Sequence, residues 1–409
     1  MRRRLGLLSA FSAAIVVVAA GADRARTAAA AEPVLGFYQL PNSAVVLARL
    51  DPLTLKPVSA RVRIGEYHSA WSLSPDGTQL AVAVSAPGPH TRIGVEIVDL
   101  TQMRIVQQIE TGIAAEALDW LAPHLLAADL QRGGTVLVDP ATSTVVQRWT
   151  HPSSERAWAA TREAFVVVYR DRVRAGQKGR PAARMVVVDV DGRIRSVALR
   201  STRIARPDTF THDVGLAVDP TSEHAYVFAA DDPVAAVDLR TLAVTYHRVP
   251  RLLLSARARR AHVDVRKRRA LWLGNGRVLV VGNDLVYSPD VSGWSATAAG
   301  ATIVDTSTWR SRTLDRRAGA AVTGAGTLLV YAPGLQIPRS SPRPGLVGYT
   351  AGGRKRFELF RGQQVWDVRV AGGRAYVRTP RAVRIVDPAA GKVVHVIAPP
   401  VDLVDVVTP

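Results

Sequence analysis

A chain of 409 residues that is 47% hydrophobic carries enough apolar material for a packed core, which excludes wholesale disorder. Its 53 Lys and Arg against 34 Asp and Glu give a formal net charge of +19, a balance that favours anionic partners over cationic ones. Cysteine is absent, so disulfides, a lipid-modified N-terminal cysteine and thiolate metal sites are excluded together.

The first element in chain order is an export signal. Arg2, Arg3 and Arg4 form a positive start, residues 5–20 are apolar and uncharged, and small-residue cleavage sites follow at Ala20-Gly21-Ala22 and Ala29-Ala30-Ala31. The apolar run is short for a bilayer span, and no later segment reaches span length. Residues 1–31 are therefore expected to be a cleaved signal with a short linker, leaving 33–409 as one secreted domain with no transmembrane span. The paired arginines are also compatible with twin-arginine export.

From PVLGFYQL onward one pattern repeats: an apolar strand ending in Asp, a tight turn, and another strand. It occurs as ARLDPLTL at Asp51, EIVDLTQM at Asp99, VLVDPATS at Asp139, VVVDVDGR at Asp189, AAVDLRTL at Asp238, TIVDTSTW at Asp305 and VRIVDPAA at Asp387, and LVGYTAGG has Tyr349 in the Asp position. A carboxylate that opens a turn can accept the amide hydrogens left free by the strand ladder, so these aspartates are structural. A hairpin precedes each copy after the first, most clearly in WSLSPDGTQLAVAV, where Pro75, Asp76 and Gly77 make the corner.

Four strands per copy and eight copies give an all-β, closed β-propeller of eight blades, or seven if one copy is degenerate. The first copy lacks its innermost strand, whereas residues 401–407, VDLVDVV, follow the last full blade as a surplus strand. Pairing the two closes the ring and removes an open sheet edge. Residues 251–300 admit two readings of the inner hairpin, so that blade holds an extra strand or an insertion. Trp120, Trp149 and Trp272 read as packing between blades.

The stretch WSLSPDGTQLAVAV, followed by VEIVDL, resembles the YVTN-type, WD40-like β-propellers, including the quinoprotein amine dehydrogenase heavy-chain-like group. The match is strongest over residues 66–112. The resemblance implies the fold and leaves activity open, because propellers serve as lyases, dehydrogenase subunits and binding scaffolds alike.

With strands a to d running outward from the channel, the b–c and d–a connections emerge at one end of every blade. The long segments 85–92, 170–184, 286–300, 332–345 and 255–269 read as such connections, and long loops on a rigid scaffold commonly bind. Arginines gather there: Arg170, Arg172, Arg174 and Arg180 in one, Arg257, Arg259, Arg260 and Arg266 to Arg269 around Lys267 in another. They are expected to form an anion-binding rim, against the plain alternative of solvated loops in an arginine-rich proteome. The arginines lack interleaved aromatic platforms, which argues against nucleic acid. Residues entering the innermost strands face the channel mouth, and Glu66, Tyr67, His68, Glu116, Trp158, His212, Asp213, Trp366 and Asp367 are the candidate ligand-binding set. No metal-ligand spacing, nucleophile elbow or phosphate loop accompanies them, so no metal or cofactor is expected.

The sequence thus favours a secreted, monomeric, non-catalytic propeller that binds an anionic cell-envelope polymer or an acidic protein. The alternative is an enzyme or enzyme subunit, quinoprotein-dehydrogenase-like or a lyase, with its site at the channel mouth.

Overall fold

The structure is a computed structural model. It describes residues 34–407 apart from 41–43, 66, 86–93, 131–133, 151–155, 162, 171–181, 204–213, 222, 230–232, 250–264, 289–292, 334–343 and 399–402. The expected signal segment lies outside the described residues, as do most of the long connections.

Every described strand belongs to one of eight four-stranded antiparallel sheets. Blade 1 contains β1 (Val34–Gln39), β2 (Val45–Leu50) and β3 (Val62–Gly65). Blade 2 follows with β4 (Tyr67–Leu73), β5 (Gln79–Ser85), β6 (Gly94–Asp99) and β7 (Arg104–Glu110), and blade 3 with β8 (Ala115–Ala122), β9 (Leu125–Leu130), β10 (Gly134–Asp139) and β11 (Thr144–Trp149). Blade 4 has β12 (Arg156–Ala160), β13 (Ala164–Arg170), β14 (Ala182–Asp189) and β15 (Ile194–Arg203), and blade 5 has β16 (Gly215–Val218), β17 (His224–Phe228), β18 (Val234–Asp238) and β19 (Val244–His247). Blade 6 has β20 (Val265–Gly274), β21 (Arg277–Ser288), β22 (Gly293–Asp305) and β23 (Ser311–Asp315). Blade 7 comprises β24 (Ala320–Gly324), β25 (Thr327–Tyr331), β26 (Leu346–Thr350) and β27 (Lys355–Leu359), and blade 8 comprises β28 (Asp367–Ala371), β29 (Arg374–Arg378), β30 (Val383–Asp387) and β31 (Lys392–Ile397). The last strand, β32 (Leu403–Val407), returns to blade 1 as its innermost member. This is an eight-bladed propeller closed by its C-terminal strand.

The continuous apolar runs have a physical reason. Successive side chains of a strand point to opposite faces, and each blade has a neighbour on both. In AFVVVYR of β13, Phe165, Val167 and Tyr169 pack into the layer shared with blade 3, while Val166 and Val168 enter the layer shared with blade 5. Eight such apolar layers occur, one at each junction between consecutive blades around the ring. Trp120 is buried in the layer between blades 2 and 3, Trp149 meets Tyr169 edge-on at 5.5 Å, and Trp272 stacks on Tyr226 at 5.8 Å, as packing residues should.

The turns follow the sequence reading. Asp51 Oδ1 accepts hydrogen bonds from the amides of Leu53 and Thr54, and Asp99, Asp139, Asp238, Asp305 and Asp387 repeat the arrangement. Asp189 instead accepts from the Arg193 amide, in a turn shortened by Gly192. In the Ser-Pro-Asp-Gly corner, Ser74 Oγ donates to Asp76 Oδ1 at 2.6 Å, Asp76 accepts the Thr78 amide, and Gly77 takes φ of 73°.

The pairing between the third and fourth strands is shifted by a bulge in every blade except blade 5. A bulge raises the local twist and turns the outer edge away from its surroundings, which limits adventitious strand addition.

The structure corrects two loop assignments. Segment 286–300 is mostly strand: β21 and β22 pair from Arg277↔Asp305 out to Ser288↔Gly293, so blade 6 carries an extended hairpin where a long connection was expected. The same register resolves the ambiguity over residues 251–300, because Trp272↔Val278 and Gly274↔Arg277 make LWLGNGRVLV the inner hairpin. Residues 265–269 belong to that hairpin's first strand and not to a loop.

Closure rests on few residues. Leu35 pairs with Val407, Gly36 with Val406 and Phe37 with Asp405. Val406 enters the layer with blade 8 and Val407 the layer with blade 2, so adjacent residues fill opposite junctions. Val406→Ala and Val407→Ala are each expected to cost about 2 kcal/mol. Val394→Ala on the exposed outer edge of blade 8 should cost under ~0.5 kcal/mol. Denaturant unfolding of the three variants checks the ranking.

A candidate binding face at the channel mouth

Antiparallel order places the start of each innermost strand, and the end of the second strand, at one end of its blade. Two candidates from the sequence, Trp366 and Asp367, meet there on blade 8. Asp367 opens β28; its Oδ2 accepts a charge-assisted bond from Arg369 Nε at 2.7 Å, and its Oδ1 accepts the Tyr331 hydroxyl at 3.3 Å. The 367/369 pair is dictated by strand geometry, since residues two apart share a face. Tyr331 ends β25 of blade 7, so the contact spans two blades. Its phenol is raised above its ordinary pKa, first by burial and then by the Asp367 carboxylate, while Arg369 and Arg269 pull it back. Arg378, at the end of β29, lies over the Trp366 ring at 5.7 Å, and its carbonyl accepts the Trp366 amide.

Blade 6 adds cations. Residues 267 and 269 of β20 share one face of the strand, and both are exposed. Lys267, Arg269, Arg369 and Arg378 thus stand at the same end of blades 6 and 8, with Asp367 among them. That arrangement suits an anion.

Arg268 points the other way. It is 2% exposed, its Nη2 binds Asp284 Oδ1 at 2.8 Å, and its Nη1 donates to the carbonyls of Lys267 and Asn283. The alternation of β20 turns this residue into the protein and corrects its assignment to the rim. Asn283 beside it donates to the Gly319 carbonyl, joining blade 6 to blade 7.

The remaining described candidates lie on blades 2, 3 and 4. Glu116 lies half-buried in β8 of blade 3, and Trp158 packs into the layer between blades 3 and 4. Tyr67 and His68 open β4, paired with Ser85 and Val84. Arg170 ends β13, half-buried. Glu66, His212, Asp213, Arg172, Arg174, Arg180, Arg257, Arg259 and Arg260 lie outside the described residues. Among the described residues no group of three or more His, Asp or Glu is placed to hold a metal ion, and no helix is long and apolar enough to cross a membrane.

Buried carboxyls also escaped the sequence reading. Ser72 Oγ of β4 donates to Asp119 Oδ1 at 3.2 Å, the Trp120 amide donates back to Ser72 Oγ, and the Trp120 indole donates to the Ser72 carbonyl. This clasp joins the innermost strands of blades 2 and 3. Burial pushes the Asp119 carboxyl up to about 7, against the opposing pull of Ser72 and the Trp120 amide. Burial likewise pushes Glu96 in β6 to about 7, with the Gln108 hydrogen bond opposing it. The only sequence signal was a charge at residue 119 inside an apolar strand.

No family model and no curated protein matches the chain. Among solved structures it is similar to the dihydro-heme d1 dehydrogenase NirN in complex with DHE, at 13% identity and TM-score 0.57, covering 93% of this chain and 76% of that one. It is also similar to apo AztD from Citrobacter koseri, at 11% identity and TM-score 0.52, covering 92% of this chain and 97% of that one. Half of the chain, 50%, matches hydrazine synthase of Kuenenia stuttgartiensis at 15% identity and TM-score 0.37; the match spans 62% of that chain, less than two thirds. At these identities the likeness is one of fold. The propeller resemblance read from WSLSPDGTQLAVAV agrees with it.

The buried charges and the turn carboxylates give the stability distinct pH windows. A carboxyl held near 7 in the fold and near 4 when unfolded stabilises the protein below about pH 4, a contribution lost as pH rises to about 7. Asp119→Asn should therefore gain stability relative to the parent across that interval, read as a flatter dependence of the urea midpoint on pH. The turn carboxylates act in a separate window: Asp305, lowered to about 2 by Ser307 and Thr308, favours the fold above about 4 and loses that effect as pH falls through 2. Arg268→Ala strands Asp284 in the interior and should cost about 3 kcal/mol in the same assay.

Proposed function

We propose that this protein is an exported propeller that binds an anionic cell-envelope polymer or an acidic protein at the channel-mouth end of its blades. The observation that carries the reading is the gathering of Lys267, Arg269, Arg369 and Arg378 at that end of blades 6 and 8. The chain's formal charge of +19 supports it, since a field of one sign draws oppositely charged ligands and raises their local concentration. The arginine-rich segments 171–181, between β13 and β14, and 250–264, between β19 and β20, lie outside the described residues and add to the charge in this reading. Export is supported by the basic and apolar start of the chain.

Asp367 has a positioning role here. It fixes the orientation of the Arg369 guanidinium through a charge-assisted bond to Nε. Tyr331 holds the carboxylate from the other side.

Binding of polyglutamate and of isolated anionic envelope polymer, followed by titration with salt, tests the reading. Affinity should fall by about tenfold between roughly 50 and 300 mM salt, because exposed charges are screened within about 10 Å. The Arg269→Ala/Arg369→Ala double variant should bind several-fold more weakly at low salt and keep its fold. Retention that ignores salt, or that ignores the double variant, defeats the proposal.

A further inference from the structure

The outermost strand of blade 8 differs from its counterparts. β31 reads KVVHVI, and its side chains from Lys392 to Val396 are all exposed: Val393 by 39%, Val394 by 44% and Val396 by 49%. It ends its sheet with no strand beyond it among the described residues. Outer strands elsewhere mostly carry charge or amide groups within them: Gln107 and Gln108 in β7, Gln147 and Arg148 in β11, Arg312 in β23, Arg356 and Glu358 in β27; β19, VTYH, has none, but its Val244 and Tyr246 are half-buried. Such charge and amide groups protect an edge against strand addition. β31 carries a charge only at its first residue, and beyond its bulge His395, Val396 and Ile397 pair with Ile385, Arg384 and Val383 in unbroken register. The result is an exposed apolar edge whose last three residues keep an unbroken register beyond the bulge.

We propose that β31 accepts an extended segment of another protein as a fifth strand of blade 8, a segment that alternates apolar and acidic residues. Backbone pairing along the edge would supply affinity, and the alternate side chains specificity. The valines call for apolar partners. The charges around them call for carboxylates: Lys392 is exposed at one end, and Arg384, opposite Val396, is held over the Phe360 ring at 4.7 Å with Nη1 on Gln363 Oε1. A second copy of this chain fits poorly, because it brings the same formal charge of +19 to the contact. The surface is the rim of blade 8, apart from the channel mouth, so it stands independently of the function proposed above.

A fluorescein-tagged peptide alternating valine and glutamate, titrated with the full chain and followed by anisotropy, tests the proposal. Saturable binding is expected, weakened about tenfold by Val394→Thr/Val396→Thr, which keeps shape and charge and removes apolar contact. Val146→Thr on the outer strand of blade 3 should leave affinity unchanged, as should Arg269→Ala/Arg369→Ala. A peptide N-methylated at alternate amides keeps every side chain and loses strand pairing, so it should not bind. The proposal is overturned by absence of saturable binding, by equal affinity for the methylated peptide or in the threonine variant, or by loss of binding in the arginine variant.

Discussion

Everything in this molecule follows from the need of each four-stranded sheet to cover two apolar faces at once. A lone blade of strands such as AFVVVYR would leave one face in water whichever way it turned. A stack of blades defers the problem to its two ends, and only a ring has no ends. The apolar layers between consecutive blades are therefore one continuous cyclic core, and burial at any junction depends on the neighbours being in place.

That constraint also explains where polar chemistry is found. Inside the layers, charge is admitted only with partners close by, as at Arg268 with Asp284 or Asp119 with Ser72. At the blade ends, where the layers run out, side chains such as Arg269 and Arg369 reach solvent without paying for burial. The rigid ring fixes where these ends lie, so Tyr331 of one blade can hold a carboxylate of the next. A binding face is in this sense a by-product of how the core terminates.

Features encoded within a few residues were legible in the sequence. The Asp turns and the Ser-Pro-Asp-Gly corner could be read because their hydrogen bonds close within three or four residues. The closing strand could be read by counting, since one blade was a strand short and one strand was left over. What escaped depended on distances along the chain that no local pattern encodes. Arg268 was grouped with a basic loop because its neighbours are basic, yet the phase of β20 sends alternate residues inward. Segment 286–300 looked like a loop for its Pro, Gly and Ser, whereas a long partner strand kept it extended. The Tyr331–Asp367 contact and the Ser72–Asp119 clasp cross from one blade to another, and only the ring geometry brings them together.

β32 follows every other strand in the chain, and this gives the molecule a direction in time. As the polypeptide is synthesised, blades 2 to 8 can form and stack one after another in order of appearance. Blade 1 is made first and finished last. Until residues 403–407 emerge, Phe37 has no inner neighbour and the two junctions flanking β1 lack Val406 and Val407. The ring thus cannot close without β32.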